Sequence, residues 1–195
     1  MEMPLDERRL PDEALLAAWG RGRESAFTEL VARHGAPIKG FALRMLHSST
    51  QAEEVYVETF LRVARSGGRW EERGTVRAWL YTIARRLCVD VLRRRAVERR
   101  AEETVLELER QRGTLPSPEA VAQFGEQAER LERAIGRLPE AHREVLLLRS
   151  IHGLSAQETA AALGRTTEQV DDQLAYARRR LRILLGETRS HRVAG

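Results

Sequence analysis

The stretch "LSAQETAAALGRTTEQVDDQL", residues Leu154–Leu174, has the pattern of two helices joined by a tight turn. Ala160 is small enough for two helices to cross closely, and Gly164 tolerates the positive φ of a tight turn. Val170 then supplies an apolar side chain for the inner face of the second helix. Together these positions predict a helix-turn-helix, and an ordinary corner between two helices of a small bundle is the alternative.

Polar residues mark where each of these two helices begins. Ser155 with Glu158, and Thr166 with Gln169, have the three-residue spacing of a capping box, in which two side chains satisfy free amides of the first turn. The inner face of the last helix is expected to consist of apolar residues at three- and four-residue spacing, namely Val170, Leu174, Ala177, Leu181 and Leu184.

The outer side of the second helix is acidic. In a helix-turn-helix, the exposed residues at the start of this helix enter the major groove. Phosphates dominate DNA affinity and repel carboxylates, although one carboxylate can accept a hydrogen bond from a cytosine amine. The sequence therefore predicts either an unusual specificity or a helix that no longer reads DNA. The exposed positions are expected to be Thr167, Glu168, Asp171, Asp172 and Gln173.

The rest of the chain has helical periodicity as well. Apolar residues recur at three- and four-residue spacing along nearly all of the 195 residues, which predicts an all-α protein of two small helical domains. The first domain is expected at 12–100, an acidic flexible linker at 101–125, the helix-turn-helix domain at 126–185 and a disordered tail at 186–195. The linker contains two prolines, which disfavour a continuous helix.

Caps and helix breakers predict the helix boundaries within the first domain. Pro37 is expected to begin a new helix, because the preceding helix would end near Gly35. A loop at 66–75 would separate the last two helices of the domain. The caps or first residues of the helices are expected at Asp12, Ser25, Pro37, Thr50 and Val76.

Charge changes sign between the first domain and the linker. The whole chain has a net charge of +4, and Lys39 is its single lysine. Residues 85–100 contain seven arginines and two acidic residues, a net charge of +5, whereas residues 101–132 contain eight glutamates and three arginines, a net charge of −5. An arginine-rich surface suits nucleic acid or acidic protein, although a genome biased toward arginine codons gives the same excess. The acidic linker is a candidate shield for the basic helix.

Several function classes lack support in the sequence. Cys88 is the single cysteine, so the chain cannot form an internal disulfide. No signal peptide and no apolar run of about 20 residues is present, which predicts a cytoplasmic protein with no membrane insertion. No serine or tyrosine has a recognisable catalytic setting, and the five histidines lack metal-ligand spacing. The sequence therefore predicts no enzyme, no catalytic residue, no metal and no cofactor.

Three longer stretches resemble one family. The sequences "AEEVYVETFLRVAR" (52–65), "GTVRAWLYTIARRLCVDVLRRR" (74–95) and "LPEAHREVLLLRSIHGLSAQETAAALG" (138–164) look like group IV, or extracytoplasmic-function (ECF), sigma factors of the sigma-70 family of bacterial RNA polymerase. The resemblance covers about 12–95 and 130–185. It implies a region 2-like domain that binds the polymerase clamp and opens the −10 promoter element. It also implies a second, region 4-like domain, which binds the polymerase flap and recognises the −35 element.

The resemblance also implies roles for individual residues. The loop at 66–75 would capture a flipped base, and the basic helix after it would hold the DNA backbone. Contacts to −10 DNA are therefore expected from Arg69, Trp70, Arg77, Tyr81, Arg85, Arg86, Arg93 and Arg94. Packing over the loop is the alternative role for Trp70. The clamp is expected to contact Glu53, Glu54, Val57, Glu58 and Arg62. Contacts of the helix-turn-helix to −35 DNA are expected from Thr166, Thr167, Gln169, Asp171, Asp172, Gln173, Tyr176, Arg178 and Arg179.

Some contact positions depart from the family pattern. Where this chain has Asp171, Asp172 and Gln173, the family commonly has basic or small polar residues. At the position of Val57 the family commonly has a glutamine, and at the position of Arg86 it commonly has an asparagine. The leading hypothesis is an alternative sigma factor with atypical or weak −35 recognition, whose partners are core RNA polymerase, promoter DNA and an anti-sigma factor. The alternatives are a sigma-like interaction protein that does not recognise −35 DNA, and a nuclease or recombinase with a C-terminal helix-turn-helix.

Overall fold

The computed structural model describes residues 7–70, 74–106 and 126–190, and all regular structure in these ranges is helical. A short 3-10 helix at Glu7–Arg9 comes first, and a π-helical turn at Leu147–Ile151 extends the sixth α-helix. The all-α prediction with two small helical domains is therefore confirmed. The α-helices are α1 (Asp12–Gly20), α2 (Glu24–Leu46), α3 (Ser49–Arg65), α4 (Val76–Leu106), α5 (Glu126–Gly136), α6 (Glu140–Leu146), α7 (Ala156–Leu163) and α8 (Thr167–Ser190).

The first domain packs α1, α3 and α4 around α2, its central helix. The apolar stripe of α2 continues on both sides of Pro37, so the helix is unbroken and the prediction of a new helix at Pro37 is wrong. Pro37 itself is exposed, and packing of the stripe outweighs the one backbone hydrogen bond that a proline cannot make. The fully buried members of the stripe are Ala26, Leu30, Ile38, Phe41, Ala42 and Met45.

Three predicted helix caps in this domain are also wrong. The Ser25 hydroxyl does not cap α2, because it donates to Glu7 Oε1 at 2.7 Å. Helix α3 is capped by Ser48, whose side chain accepts from the Gln51 amide, so Thr50 lies inside the helix. Helix α4 begins at Val76, as the sequence predicted. Helix α1 begins with Asp12, but its N-cap is Pro11, and the Asp12 carboxylate bonds to Arg33 and His34 instead of capping the helix.

Helix α4 extends beyond the predicted end of the first domain. It runs to Leu106, so residues 101–106 of the predicted linker are helical. Residues 96–106 contain no glycine or proline, and nothing in this stretch stops a helix. The rest of the predicted linker, residues 107–125, lies outside the described residues, as do most of its acidic side chains.

The second domain consists of α5–α8, and α7 and α8 form the predicted helix-turn-helix. The Glu158 amide donates to the Ser155 hydroxyl at 3.1 Å, and the Ser155 amide donates to the Glu158 carboxylate at 2.8 Å. Thr166 and Gln169 exchange the equivalent pair of bonds at the start of α8. Gly164 has φ 64° in the turn between the two helices. Both capping boxes and the glycine turn are confirmed.

Helix α8 is longer than the sequence predicted. It continues to Ser190, so the prediction of a disordered tail from residue 186 is wrong for 186–190. Gly186 adopts helical geometry there, because a single glycine lowers helix propensity without blocking a helix. Residues 191–195 lie outside the described residues. The inner face is buried as expected at Val170, Leu174, Ala177 and Leu184, with Leu181 half-buried.

The two domains pack against each other, which the sequence did not predict. Helix α4 contacts α7, and α2 contacts α5 and α6. His152, just before α7, is buried beside Phe41 of α2 and Tyr81 of α4, with ring centroids 5.9 and 5.0 Å away. Buried apolar residues of both domains therefore form one continuous core.

Candidate nucleic-acid interface

Helix α4 presents arginines on its outer side. Arg86, Arg93 and Arg94 are exposed, and none of them forms an ion pair within the described part of the chain. Spacings of seven and eight residues place these side chains on one side of the helix, two turns apart. Three accessible guanidinium groups in a row provide a positive surface that suits a phosphate backbone.

The loop before α4 is described at 66–70 and 74–75. Arg69 is exposed and remains accessible to a partner. Trp70 is half-buried against the core, and its indole Nε1 is buried without a hydrogen-bond partner among the described residues. The structure therefore places the Trp70 ring in the packing position that was the alternative to base capture.

Three residues expected at −10 DNA lie on the inner side of α4, against the second domain. Tyr81 is 1% exposed, and burial raises the pKa of its hydroxyl to about 12. Arg77 is half-buried, and Arg85 donates from Nε to Glu144 Oε1 at 3.0 Å. In this arrangement Tyr81 and Arg85 face protein rather than DNA, because the packed domains cover them.

Glu144 of α6 is a buried carboxylate that connects both domains. Its side chain is 1% exposed and accepts from Arg85 Nε at 3.0 Å and from Arg165 Nη2 at 3.1 Å. Burial raises the pKa of Glu144, and the two guanidinium groups oppose this rise by favouring the carboxylate. Arg165 also donates to Gln173 Oε1 at 2.8 Å. A continuous polar connection therefore runs from α4 to the first turns of α8.

Further polar contacts cross between the domains elsewhere. Arg143 of α6 donates from Nη1 to the Met45 carbonyl at 3.3 Å and lies 2.9 Å from His47 Nε2. Arg44 of α2 donates to both carboxylate oxygens of Glu132 of α5, with N–O distances of 2.7, 3.0 and 3.1 Å. The Thr75 hydroxyl donates to Glu158 Oε1 at 2.6 Å. These contacts lie at separate places along the boundary, so they fix the orientation of the second domain on the first.

Sequence reasoning missed the residues that join the domains. Arg85 and Glu144 are 59 positions apart, and Arg44 and Glu132 are 88 positions apart, so local spacing does not pair them. One signal was available for Glu144. It precedes the buried Leu148 by four residues, and helical periodicity places both on one face.

The residues predicted to bind the polymerase clamp lie on the exposed side of α3. Val57 and Leu61, one turn apart, are 45% and 43% exposed. Charged residues flank this apolar pair, including Glu58, which accepts from Arg62 Nε at 2.9 Å. An accessible apolar pair within a polar rim suits contact with another protein. The predicted clamp residues, all exposed or half-exposed here, are Glu53, Glu54, Val57, Glu58 and Arg62.

The first turns of α8 present acidic groups to solvent. Glu168, Asp171 and Asp172 are exposed together with Thr167. Gln173 is half-buried, and the bond from Arg165 restrains its amide. Carboxylates thus occupy most of the surface that would enter a major groove, and this local charge disfavours an approaching phosphate backbone.

Farther along α8 the predicted contact residues are accessible. Tyr176 is 39% exposed and stacks on His142 of α6, with ring centroids 4.2 Å apart. The Arg179 guanidinium lies 5.7 Å from the Tyr176 ring centroid, and Arg178 donates to the Ser150 hydroxyl at 3.4 Å. Burial, aided by the nearby Arg165, lowers the pKa of His142 and so favours its neutral imidazole. This part of α8 combines cations with an aromatic surface.

The described ranges contain neither a metal-ligand cluster nor a membrane-spanning helix. No group of three or more His, Cys, Asp or Glu side chains is arranged to hold a metal ion there. None of the helices in these ranges has the length and apolar character that crossing a membrane requires. Cys88 is buried, and burial raises the pKa of its thiol to about 12, so this thiol is a poor nucleophile.

The two domains match two family models in chain order. Residues 30–98 match Sigma-70 region 2, and residues 128–181 match Sigma-70, region 4. The chain is 31% identical over 175 residues to the ECF RNA polymerase sigma factor SigM of Mycobacterium tuberculosis, a match that covers 90% of this chain and 85% of SigM. This chain belongs to the ECF sigma factors of the sigma-70 family. The resemblance seen in the sequence is therefore confirmed.

Other sigma factors are matched over similar lengths. Identity to RNA polymerase sigma factor CnrH of Cupriavidus metallidurans is 30% over 179 residues, or 89% of this chain and 94% of CnrH. The structure of CnrH in complex with the cytosolic domain of CnrY superposes with a TM-score of 0.65 at 27% identity, covering 90% of this chain and 97% of that one. The sigma factor RpoE of Bartonella quintana, solved with the anti-sigma factor NepR, shares the fold, with a TM-score of 0.67 at 22% identity over 82% of this chain and 96% of that one.

Proposed function

We propose that this ECF sigma factor is an alternative sigma factor that binds core RNA polymerase in the cytoplasm and directs it to specific promoters. The first domain binds the polymerase clamp through the exposed side of α3. Helix α4 and the loop before it bind and melt the −10 element. The second domain binds the polymerase flap and lies over the −35 element, which it recognises weakly or atypically. The function is one of binding, and the proposal includes no catalytic step.

The row of exposed arginines on the outer side of α4 carries this proposal. Arg86, Arg93 and Arg94 lie inside the segment that matches region 2 and are free of ion pairs within the described residues. The positive charges of these arginines repel one another in the isolated protein, and binding of a negatively charged partner offsets this repulsion. A phosphate backbone supplies that charge and releases counterions as it binds.

Atypical −35 recognition is proposed from the charge of α8. Glu168, Asp171 and Asp172 are exposed where a recognition helix meets base edges, and each repels nearby phosphates. One of them can accept from a cytosine amine, which limits the sequences that remain acceptable. Arg178 and Arg179, farther along the helix, are exposed and provide backbone contacts. The −35 contribution to promoter affinity is therefore small or restricted to cytosine-containing sites.

A sigma-like interaction protein is the second candidate function, and the same acidic surface favours it. If α8 binds a basic protein surface instead of DNA, Asp171 and Asp172 provide attraction rather than repulsion. Such a protein would form a complex with core polymerase and yet open no promoter.

Run-off transcription from a randomised promoter library, with core polymerase and the purified protein, tests the proposal. We expect enriched templates that share a −10 sequence, with at most a weak upstream preference. A shared upstream element that is lost in Asp171→Ala/Asp172→Ala would show that the aspartates recognise −35 DNA. A stable complex with core polymerase but no product above that of core polymerase alone would favour the interaction protein. Absence of both a complex and a product would refute both functions.

A double variant on α4 and a single control variant elsewhere test the α4 surface in the same assay. Arg93→Ala/Arg94→Ala removes two exposed cations from α4, and we expect about a tenfold or greater loss of product because two phosphate contacts disappear. Arg137→Ala removes an exposed cation just after α5, outside every predicted contact surface, and is expected to leave the product unchanged. Equal effects of the two changes would contradict the role proposed for α4.

An anti-sigma factor is the other partner in this proposal. The solved relatives CnrH and RpoE are each named with a second protein, the cytosolic domain of CnrY and the anti-sigma factor NepR. A protein of that class is expected to abolish the run-off product when it is added before core polymerase. Retention of full transcription in the presence of a bound partner would contradict this assignment.

A further inference from the structure

We propose that helix α1 positions the loop at 66–75 for promoter opening. The C-terminal end of α1 is in backbone contact with the loop, at Gly20 and Gly68. Near the other end of α1, Glu13 bonds to Val76, the first residue after the loop. Helix α1 therefore holds this loop at both of its ends. The inference rests on the proposed function for the role of the loop in melting the −10 element, whereas the contacts belong to the isolated chain.

The contact between Gly20 and Gly68 leaves no room for a side chain on either residue. A Cβ added at Gly68 would lie 2.6 Å from the Gly20 Cα and 2.7 Å from the Leu16 carbonyl oxygen. A Cβ added at Gly20 would lie 2.9 Å from the Gly67 carbonyl oxygen and 3.3 Å from the Gly68 Cα. All of these are backbone atoms, which cannot rotate away as the end of a flexible side chain can. A side chain at either position therefore has to displace the loop from α1.

At the far end of the loop, Glu13 fixes the start of α4. Its Oε1 accepts from the Val76 amide at 3.4 Å. The amides in the first turn of a helix have no partner within the helix, and a carboxylate placed there also interacts favourably with the helix dipole. This bond therefore ties the point where the loop passes into α4 to the same helix that contacts Gly68.

The anchored loop presents one cation to solvent within its described part. Trp70 lies half-buried against the core, so its ring adds to the support of the loop. Arg69 is exposed, and its amide donates to the Ser66 carbonyl at 3.0 Å, which closes a tight turn. The contacts at Gly68 and the packing of Trp70 lie on either side of Arg69 in the sequence. The position of the Arg69 side chain therefore depends on both.

A loop that is held at both ends suits the capture of a base. Removing a base from the stack costs free energy, which contacts to the unstacked base must offset. A loop that is already ordered loses little conformational entropy when it makes these contacts, whereas a loose loop loses more. Contacts to duplex phosphates from the exposed arginines of α4 do not need the loop. Loss of the α1 contact should therefore impair promoter opening more than binding to the duplex.

Three single alanine variants separate the contact from backbone strain. Gly20→Ala lies in the helical backbone of α1, where alanine is normally the better residue, so a loss of function there points to the contact with the loop. Gly68→Ala adds a side chain on the other side of the contact, at φ 78°. Gly22→Ala is the control, because it shares the left-handed backbone, at φ 87°, but an added Cβ there meets no atom within 4 Å. Circular dichroism checks that all three variants keep their helices.

Amide hydrogen exchange of the isolated full-length chain, followed by mass spectrometry, tests whether α1 holds the loop. We expect peptides that cover 66–70 to exchange about fivefold faster or more in Gly20→Ala and Gly68→Ala, because local opening becomes easier. The same peptides should exchange at the wild-type rate in Gly22→Ala. Peptides from the centre of α2 report on any general loosening of the domain and should be unchanged in all variants. Wild-type exchange at 66–70 in Gly20→Ala would overturn the proposal.

Run-off transcription from two forms of one promoter tests the role in opening. The most enriched template of the randomised library is prepared as a duplex and as a heteroduplex whose strands are mismatched from the −10 element to the start site. Gly20→Ala and Gly68→Ala are expected to lower the product from the duplex about tenfold, but that from the premelted template by less than about twofold, since melting is no longer required. A variant that had only lost stability would lose product from both templates.

Glu13 provides a second test that adds no side chain to the contact. Glu13→Ala removes the acceptor for the Val76 amide, and we expect the same preference for the premelted template, with a smaller loss on the duplex. Glu13→Gln keeps an acceptor oxygen and should restore most of the product from the duplex. Equal products from the alanine and glutamine variants would overturn the role of Glu13.

The combined results separate this proposal from the proposed function. Faster loop exchange with a loss confined to the duplex supports positioning by α1. Faster exchange with equal losses on both templates, or with no loss on either, overturns it. If the wild type yields no product from either template, the proposed function fails and the role in opening fails with it. The exchange experiment contains neither polymerase nor DNA, so it still decides whether α1 holds the loop.

Discussion

The Thr75 hydroxyl joins the start of α4 in the first domain to the start of α7 in the second. It donates to Glu158 Oε1 at 2.6 Å, and its oxygen accepts from the Ala78 amide at 3.2 Å. Glu158 also accepts from the Ser155 amide, so one carboxylate completes a capping box and binds the cap of another helix. Burial acts against its charge, yet the hydrogen bonds from Thr75 and Ser155 hold the pKa of Glu158 below its usual value.

Removal of this hydroxyl should therefore affect both helices. Thr75→Val keeps the shape of the side chain, and we expect it to lower the free energy of unfolding by about 1–2 kcal/mol through loss of a cap and a charge-assisted bond. Thr75→Ser keeps the hydroxyl and should cost less than about half as much. Urea unfolding followed by circular dichroism measures both. Equal stability of the valine variant and the wild type would show that the cap contributes nothing.

The elements that the sequence predicted correctly are those fixed by short-range patterns. Ser155 and Glu158 are three positions apart, and the bonds they exchange require only that the chain turn into a helix. Gly164 supplies the one backbone conformation that the turn needs. The helix-turn-helix, its two caps and the buried stripe of α8 were therefore available from spacing alone.

Features that depend on tertiary packing were predicted wrongly or not at all. Pro37 is a strong local signal for a helix start, but the apolar stripe of α2 buries residues on both sides of it and the packing prevails. Among the residues expected at −10 DNA, the structure separates an accessible set from Tyr81 and Arg85, which the second domain covers. That division depends on where Glu144 comes to lie, and no local spacing encodes it.

Two glycines provide a matched test of backbone conformation. A Cβ added at Gly164 or at Gly186 would meet no atom within 4 Å, so packing does not distinguish them. Gly164 has φ 64°, which disfavours any L side chain, and Gly164→Ala should lower stability by about 1 kcal/mol. Gly186 is helical, and Gly186→Ala should raise stability by roughly 0.5–1 kcal/mol. Thermal unfolding of both variants measures the two changes in stability. Changes of the same sign would show that backbone conformation does not distinguish these two glycines.

The single cysteine should be protected in the native state. Cys88 is fully buried, and burial raises the pKa of its thiol to about 12, an effect to which the nearby Glu144 adds. Since only the thiolate reacts, labelling by a disulfide reagent at pH 8 should be slower by up to about a thousandfold than in concentrated urea. Absorbance of the released thiol gives both rates directly. Rapid labelling without denaturant would mean that this part of α4 is exposed in solution.

Stability should fall as the pH is lowered from about 6.5 toward 4, because of His152. Burial, together with Arg44 and Arg77, lowers the pKa of its imidazole from 6.5 to about 4 in the folded protein. Below pH 6.5 the unfolded chain therefore binds a proton that the folded chain does not, and acid favours unfolding. The shift corresponds to a loss of at most about 3 kcal/mol across this range, and no loss from this group is expected above pH 7.

His152→Phe separates this effect from the titration of other groups. Phenylalanine can occupy the space beside Phe41 and Tyr81, and His152 Nε2 has no hydrogen-bond partner within the described residues that the change would sacrifice. Urea unfolding of both proteins at pH 4.5, 5.5, 6.5 and 7.5 gives two stability profiles. The free energy of unfolding of the variant should rise steadily relative to that of the wild type as the pH falls, since the variant carries no proton-binding group at this position. Parallel profiles would mean that His152 is solvated in the folded chain, and the packing of the second domain onto Tyr81 would then have to be looser than the structure has it.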